Sequence, residues 1–352
     1  MLTFQKALED AENYNKKHLI LGNGFSIALF PGIFLYGSLF KEADFSENPN
    51  LIHVFEALGT QDFELAIRAL EDGSKVYPIY AKDSDDVAVS MMADAAALKD
   101  ILITTIAKRH PQSPIDISED QFQACRAFLS NFLGPKAGHV FTFNYDLLLY
   151  WVLMHSDPIE GYESIDLSRN DGFGNDEDEP EADFVVWRGE TGARDACFHY
   201  LHGALHLFDA GATLQKYTWV RKQERLIEQV RRAMQDDKFP LFVAEGTSNQ
   251  KKRKIAHNSY LYQVGKTLAS NANMVSHCFF LHGHSLAEND AHVLRRLARG
   301  RFKKMYIGLH GDPNSNSNSE IVKRARGMQA ERIDRYPLEV EFYDSDSAHV
   351  WG

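Results

Sequence analysis

The chain has 352 residues, with 38 Lys and Arg against 49 Asp and Glu, a formal charge of −11 and three cysteines. A hydrophobic content of 44% is enough for a sizeable core and excludes global disorder. The acidic balance argues against a nucleic-acid backbone as the main partner, because neutralising phosphates needs a concentrated basic surface. Cys125, Cys197 and Cys278 lie far apart with no Cys-x-x-Cys pair, which excludes a disulfide framework and a cysteine-rich zinc site; no metal is expected.

The opening "MLTFQKALEDAENYNKKH" mixes both charges and has no apolar h-region of the kind a secretory signal carries. No stretch reaches the length of a membrane span, so the expectation is a soluble, cytoplasmic protein with no membrane partner. Residues 2–16 have the apolar spacing of an amphipathic helix, and "HLILG" follows as a short strand closed by glycine. Residues 41–135 read as mainly helical. "LIHVFEALGTQDFELAIRALEDG" and "VAVSMMADAAALKDILITTIAKRHP" space apolar residues by three and four, and "EDQFQACRAFLSNFL" runs up to Gly134-Pro135.

"HVFTFNYDLLLYWVL" turns from strand to helix character at Asn144-Tyr145-Asp146, and "DGFGNDEDEPEAD" at 171–183 is an acidic loop. "DFVVW", "CFHYLHG", "ALHLF" and "FPLFVAEG" are short strands, interrupted by the helical pattern "YTWVRKQERLIEQVRRAMQD". "HCFFLHG", "KMYIGLHG" and "LEVEFYD" are later strands, with "LAENDAHVLRRLARG" a helix between the first two. "DPNSNSNSE" at 312–320 reads as a polar loop tip. Strand alternating with helix indicates an α/β fold with a Rossmann-like, doubly wound parallel sheet. The whole of 1–352 reads as one domain, with a core of 17–40 and 136–352 and a mainly helical insertion over 41–135.

In such sheets ligands bind at the carboxyl ends of the strands. Those ends carry Gly22-Asn23-Gly24-Phe25-Ser26, Asn144-Tyr145-Asp146, His202-Gly203, Gly246-Thr247-Ser248 and Gly283-His284-Ser285. Glycine lets backbone amides approach a diphosphate, although Gly-x-Gly after a strand fits a tight turn equally well. The third glycine of the dehydrogenase fingerprint is missing, which disfavours hydride transfer. Singly, Asn144 fits a helix N-cap, Asp146 a first-turn carboxylate and Asp290 a cap for the next helix. The basic run Lys251, Lys252, Arg253 and Lys254 fits a solvated turn or a site for a small anion.

Taken in order, the pieces resemble the sirtuin-like superfamily, and more closely the bacterial SIR2-like NAD-consuming proteins of antiphage defence. The sirtuin pattern of Gly-Ala-Gly-x-Ser, Thr-Gln-Asn-x-Asp, His-Gly and Gly-x-Ser has counterparts in Gly22–Ser26, Thr142–Asp146, His202-Gly203 and Gly283–Ser285. "TFNYDLLLYW", "YLHGALHLF", "DFELAIRAL" and "VAEGTSNQKKRKI" are similar to the defence-associated branch.

The resemblance implies NAD+ as substrate. Asn144 would orient the ribose and the attacking water, and His202 would act as general base. It assigns Asp146 to the nicotinamide amide, and Gly22, Asn23, Gly24, Phe25 and Ser26 to the diphosphate. Thr247, Ser248, Gly283 and Ser285 fall on the adenosine side. The sirtuin zinc ribbon is absent and no Asp-Phe-Arg follows "ALFPG", so water is a better acceptor than an acyl-lysine. The expectation is therefore an NAD+ glycohydrolase serving as a toxic effector, restrained by oligomerisation or by a sensor protein or nucleotide signal. Alternatives are a protein deacylase or ADP-ribosyltransferase, and a non-catalytic subunit that binds NAD or ADP-ribose.

Overall fold

The computed structural model describes residues 1–33, 39–81, 85–108, 110–111, 113–134, 138–155, 165–217, 225–243 and 248–352. Its strands, in chain order, are β1 (Lys16–Leu21), β2 (Val140–Thr142), β3 (Phe173–Gly174), β4 (Phe184–Trp187), β5 (Phe198–Tyr200), β6 (Gly203–Asp209), β7 (Leu214–Tyr217), β8 (Phe239–Phe242), β9 (His277–His282), β10 (Lys304–Leu309) and β11 (Glu339–Asp344).

Six of these form a parallel sheet in the order β11-β10-β9-β1-β2-β5. Numbered by their own succession, they run 3-2-1-4-5-6 from the β5 edge, an order compatible with a Rossmann-like fold. Strand order reverses between β1 and β9, where consecutive connections diverge to opposite edges.

Covered strands in a parallel sheet must be apolar on both sides. All six residues of β9 and of β10 are buried. Successive residues of β9 face opposite layers. Phe280 packs with Phe4, Phe132 and Tyr306, which ties in the N-terminal helix Phe4–Asp10 and the helix Glu119–Leu133. Phe279 faces the other way, against His18 and Phe302.

The second face carries a row of histidines across four strands. The His18 Nε2 lies 2.9 Å from His277 Nδ1, and its Nδ1 accepts the backbone N–H of His139 at 3.0 Å. His139 Nδ1 is in turn 2.9 Å from His199 Nε2, and the His199 ring stacks on Phe141. Burial pushes His18 and His199 well below the ordinary imidazole value, lowers His277, and brings His139 to about 4.

The other five strands form a separate sheet, β3-β4-β7-β6-β8, in which every pairing is antiparallel. This corrects the expectation of one sheet: "DFVVW", "ALHLF" and "FPLF" belong to it, and β7 takes Tyr217, which the helical pattern had claimed. The helix there covers Leu226–Gln235. The chain passes between the two sheets at His202-Gly203. Gly203 has φ +73, and a Cβ on it would overlap the Leu241 carbonyl oxygen.

Between β1 and β2 the described elements are all helical, the longest being Phe63–Tyr80 and Asp85–Lys108. The first long pattern divides at Gly59, which ends the helix Leu51–Leu58 in the left-handed conformation; Asp62 then caps Phe63–Tyr80. Gly73, which closes the first of those stretches and as a helix breaker would end it, lies inside that helix. The N-terminal helix is shorter than expected, closing with a single tight turn at Ala11–Asn13. "DPNSNSNSE" is a helix start, with the Ser315 hydroxyl accepting from the Asn318 N–H. Among the described residues no helix is long and apolar enough to cross a membrane, and the three cysteines are all free and buried.

Candidate functional site

The registers align the last residues of four neighbouring strands: His282 of β9, Leu21 of β1, Thr142 of β2 and Tyr200 of β5. Two residues beyond that line stand His284, Asn23, Asn144 and His202. The sheet therefore delivers two amides and two imidazoles from four separate segments to a single crest, at the point where strand order reverses.

The glycines of the opening loop have a packing explanation. A Cβ on Gly22 would lie 2.6 Å from the Gly283 carbonyl oxygen and from His284 Cα, and one on Gly24 would lie 2.7 Å from Gly283 Cα. Gly283 itself has φ +69, and its Cβ would meet the Phe25 nitrogen at 2.6 Å. The loop amides expected to face a diphosphate are also engaged. Gly22 donates to the His282 carbonyl at 2.9 Å, Gly24 to the Gly283 carbonyl at 2.8 Å, Phe25 to the Gly22 carbonyl at 3.0 Å and Ser26 to the Asn23 carbonyl at 3.0 Å. Three glycines thus let two strand ends meet backbone to backbone.

Asn144 is buried and is no helix cap; the helix after it begins at Leu148. Its Nδ2 donates to the Gly22 carbonyl at 3.1 Å and to the Ser26 hydroxyl at 2.9 Å. A carbonyl only accepts, so the orientation of the amide is fixed. The Oδ1 atom receives no bond from the described residues. Ser26 passes its proton on to Asp146 Oδ2 at 2.5 Å, while Asp146 Oδ1 accepts the Leu148 N–H at 2.9 Å. Burial raises the Asp146 carboxyl to about 6, against the pull of those two bonds. The expected first-turn carboxylate is therefore a buried acid whose ionisation falls near neutral pH.

His202 is also buried, and the Phe143 ring lies edge-on to it at 5.0 Å between centroids. Its Nε2 faces His292 Nε2 at 3.1 Å and Asp290 Oδ1 at 3.8 Å. Asp290 makes no capping bond with its side chain, contrary to expectation. It instead gathers Lys251 Nζ at 3.2 Å and His284 Nε2 at 3.5 Å. These cationic and hydrogen-bonding neighbours hold its carboxyl well below the usual range although burial opposes them. Burial depresses His202 far below the ordinary imidazole value and His292 to about 4, so both rings are neutral at pH 7.

Ser248 accepts the His292 backbone N–H at 3.1 Å and lies 3.4 Å from its Nδ1. Ser285 is half-buried, and its carbonyl accepts Arg324 Nη1 at 3.0 Å. Thr247 lies outside the described residues. The basic run is partly committed, since Lys254 pairs with Asp62 at 2.7 Å and Glu64 at 3.2 Å as well as Lys251 with Asp290. In the acidic loop Asp171 is buried against Lys216 Nζ at 2.5 Å.

Ser26 as the link between Asn144 and Asp146, and the group Lys251, His284, Asp290 and His292 behind His202, were not legible in the sequence. The one trace was "ENDAHV", which carries an acid and a histidine two positions apart.

Fold and crest define an α/β protein with a six-stranded parallel sheet and a polar cluster over its strand ends. The chain belongs to the DUF4917 family, described as a domain of unknown function, whose model matches residues 19–351. No curated protein matches it.

Proposed function

We propose that this chain is an NAD+ glycohydrolase of the SIR2-like kind, cleaving NAD+ to nicotinamide and ADP-ribose. In this reading the parallel sheet is a doubly wound Rossmann-like core, residues 41–135 are its helical insertion, and no zinc ribbon is needed. The observation that carries it is the shared crest: Asn144 and His202 stand at equivalent positions on the ends of the adjacent strands β2 and β5.

Cleaving the nicotinamide–ribose bond needs an acceptor for the proton of water or of a ribose hydroxyl, close to a centre that becomes cationic. With both amide protons of Asn144 committed, its Oδ1 is the atom left to align that hydroxyl. The backbone of Asn289 takes a hydrogen bond from the His292 ring, and in this reading that proton sits on Nδ1, on the side of Ser248. The His292 Nε2 then accepts from His202 Nε2–H, which leaves a lone pair on His202 Nδ1 as the base. Asp290 would stabilise the imidazolium that forms.

A toxic activity of this kind serves antiphage defence when it is restrained until infection, by self-assembly or by a sensor partner. A second reading has one observation in its favour. With the amides of Gly22, Gly24, Phe25 and Ser26 all donated to carbonyls, the loop offers a phosphate few free donors, as suits a weak or regulatory nucleotide site.

The test follows nicotinamide release chromatographically from NAD+ mixed with purified protein, and cellular NAD+ after phage challenge of cells carrying the gene with its neighbours. Activity lost in both Asn144→Ala and His202→Ala, with folding retained, supports the hydrolase. Undiminished NAD+ loss in both variants sinks the assignment. Saturable NAD+ binding without turnover in either setting favours the second reading.

A further inference from the structure

The groups behind His202 have the make-up of a metal site. One ring nitrogen of His202, one of His292 and one Asp290 oxygen all lie within 4.8 Å of one another. Two imidazoles and a carboxylate are a common ligand set for zinc and its neighbours, and leave further coordination positions open. The 3.1 Å between the two Nε2 atoms is close to the roughly 3.3 Å that two nitrogens span in a tetrahedral site with bonds of about 2.0–2.1 Å. Asp290 Oδ1 stands 3.8 Å from His202, about half an ångström beyond that span.

The outer groups fit as well. Ser248 lies on the Nδ1 side of His292, and His284 holds the second Asp290 oxygen. Metal-bound histidines and carboxylates are ordinarily steadied in this way. Lys251 brings its ammonium to 3.2 Å from the same Asp290 oxygen, where it would compete with a cation.

We infer that His202, His292 and Asp290 bind one late first-row divalent cation, zinc being the natural choice, in competition with the Lys251 ammonium. Binding requires a lone pair on His202 Nε2 and so moves its proton to Nδ1. The hydrogen bond to His292 is lost, and Nδ1 ceases to be a base. On the hydrolase reading, on which this consequence rests, zinc switches the enzyme off.

The experiment uses the full-length, tag-free protein after chelator treatment. Zinc binding is measured by calorimetry, and cobalt(II) is read by its visible absorption. The wild type is expected to take up one ion per chain, with the strong absorption of a low-coordinate cobalt centre. His292→Ala should weaken binding at least a hundredfold and abolish the absorption, while circular dichroism confirms the fold. Lys251→Met removes the competing charge and should tighten binding about tenfold or more. His310→Ala, at an exposed histidine just past the end of β10, should bind as the wild type does.

Absence of stoichiometric binding in the wild type, or His292→Ala binding unchanged, overturns the site. Zinc at one equivalent should halt nicotinamide release and chelator restore it, whereas residual turnover of His292→Ala should be indifferent to zinc. A protein that binds cobalt as described but never cleaves NAD+ keeps the metal site and discards the hydrolase. Cleavage without any metal uptake does the reverse.

Discussion

Asn144 donates its side-chain amide to the Ser26 hydroxyl across 2.9 Å, joining two segments 118 residues apart. That hydroxyl has one proton, which goes to Asp146, so it must accept from Asn144. Ser26→Ala removes the hydroxyl that joins the amide side chain to the acid. On the proposed hydrolase reading it should lower kcat for NAD+ cleavage about 10- to 100-fold with little change in KM, as a displaced positioning group does. It should also cost roughly 1–3 kcal/mol of stability, because a buried donor and acceptor lose their partner. Steady-state kinetics and urea unfolding of the same preparation read both effects, and a variant matching wild type in kcat contradicts the role given to Ser26.

Gly283 and Gly327 make a matched pair. Gly283→Ala combines a positive φ with a Cβ 2.6 Å from the Phe25 nitrogen, so it should destabilise by at least about 2 kcal/mol. Gly327 lies inside the helix Asn316–Ala330 with open space around it, and Gly327→Ala should stabilise by about 0.5–1 kcal/mol. Opposite shifts in the denaturation midpoint are the expected outcome.

Asp146 gives a pH signature of definite sign. Between its ordinary 3.8 and about 6 the folded chain keeps a proton that the unfolded chain releases, so this group makes stability fall as pH rises through that window. Above about 6 the deficit is complete and constant, at most about 3 kcal/mol. Asp146→Asn has no such ionisation. Its stability relative to wild type should therefore climb by about 1 kcal/mol between pH 5 and 7.5 and then level off. A difference independent of pH would show that the carboxyl titrates normally.

The histidine row acts in the opposite sense. His18, His139, His199 and His277 are neutral in the fold and gain protons once unfolded, so the stability they secure is whole above about pH 6.5 and drains away as pH falls toward about 4. Each contributes a slope of up to about 1.4 kcal/mol per pH unit. Unfolding at pH 5.5 should take up protons, measured calorimetrically in buffers of differing ionisation enthalpy, and take up fewer when His18 and His199 are replaced. Uptake near zero would mean that the row is already charged in the native protein.

The parallel sheet was legible in the sequence because its strands are short apolar runs, most of them followed within a few residues by glycine or asparagine, and the helices between them keep their spacing. The antiparallel sheet was not. β6 is buried along almost its whole length, so "GALHLFD" has the continuous apolar character of a parallel strand, and nothing local records the direction of its partner. Asn144 and His202 were identifiable as strand-end residues, but their partners were not. Ser26 had an equally good reading as a phosphate ligand, and Asp290 as a helix cap, since each residue type serves both purposes and the choice depends on which distant segment arrives beside it. The doubled glycine at 22 and 24 shows the same ambiguity, because close backbone packing and anion binding call for the same missing side chain.

His202 is the last residue before the chain leaves one sheet for the other, and its own carbonyl accepts the Val243 N–H at the end of β8. The histidine's backbone is thus held between the parallel sheet on one side and the smaller antiparallel sheet on the other. Displacement of the outer sheet would be transmitted directly to that residue. A binding event far from the crest therefore has a one-residue path by which to tilt that ring.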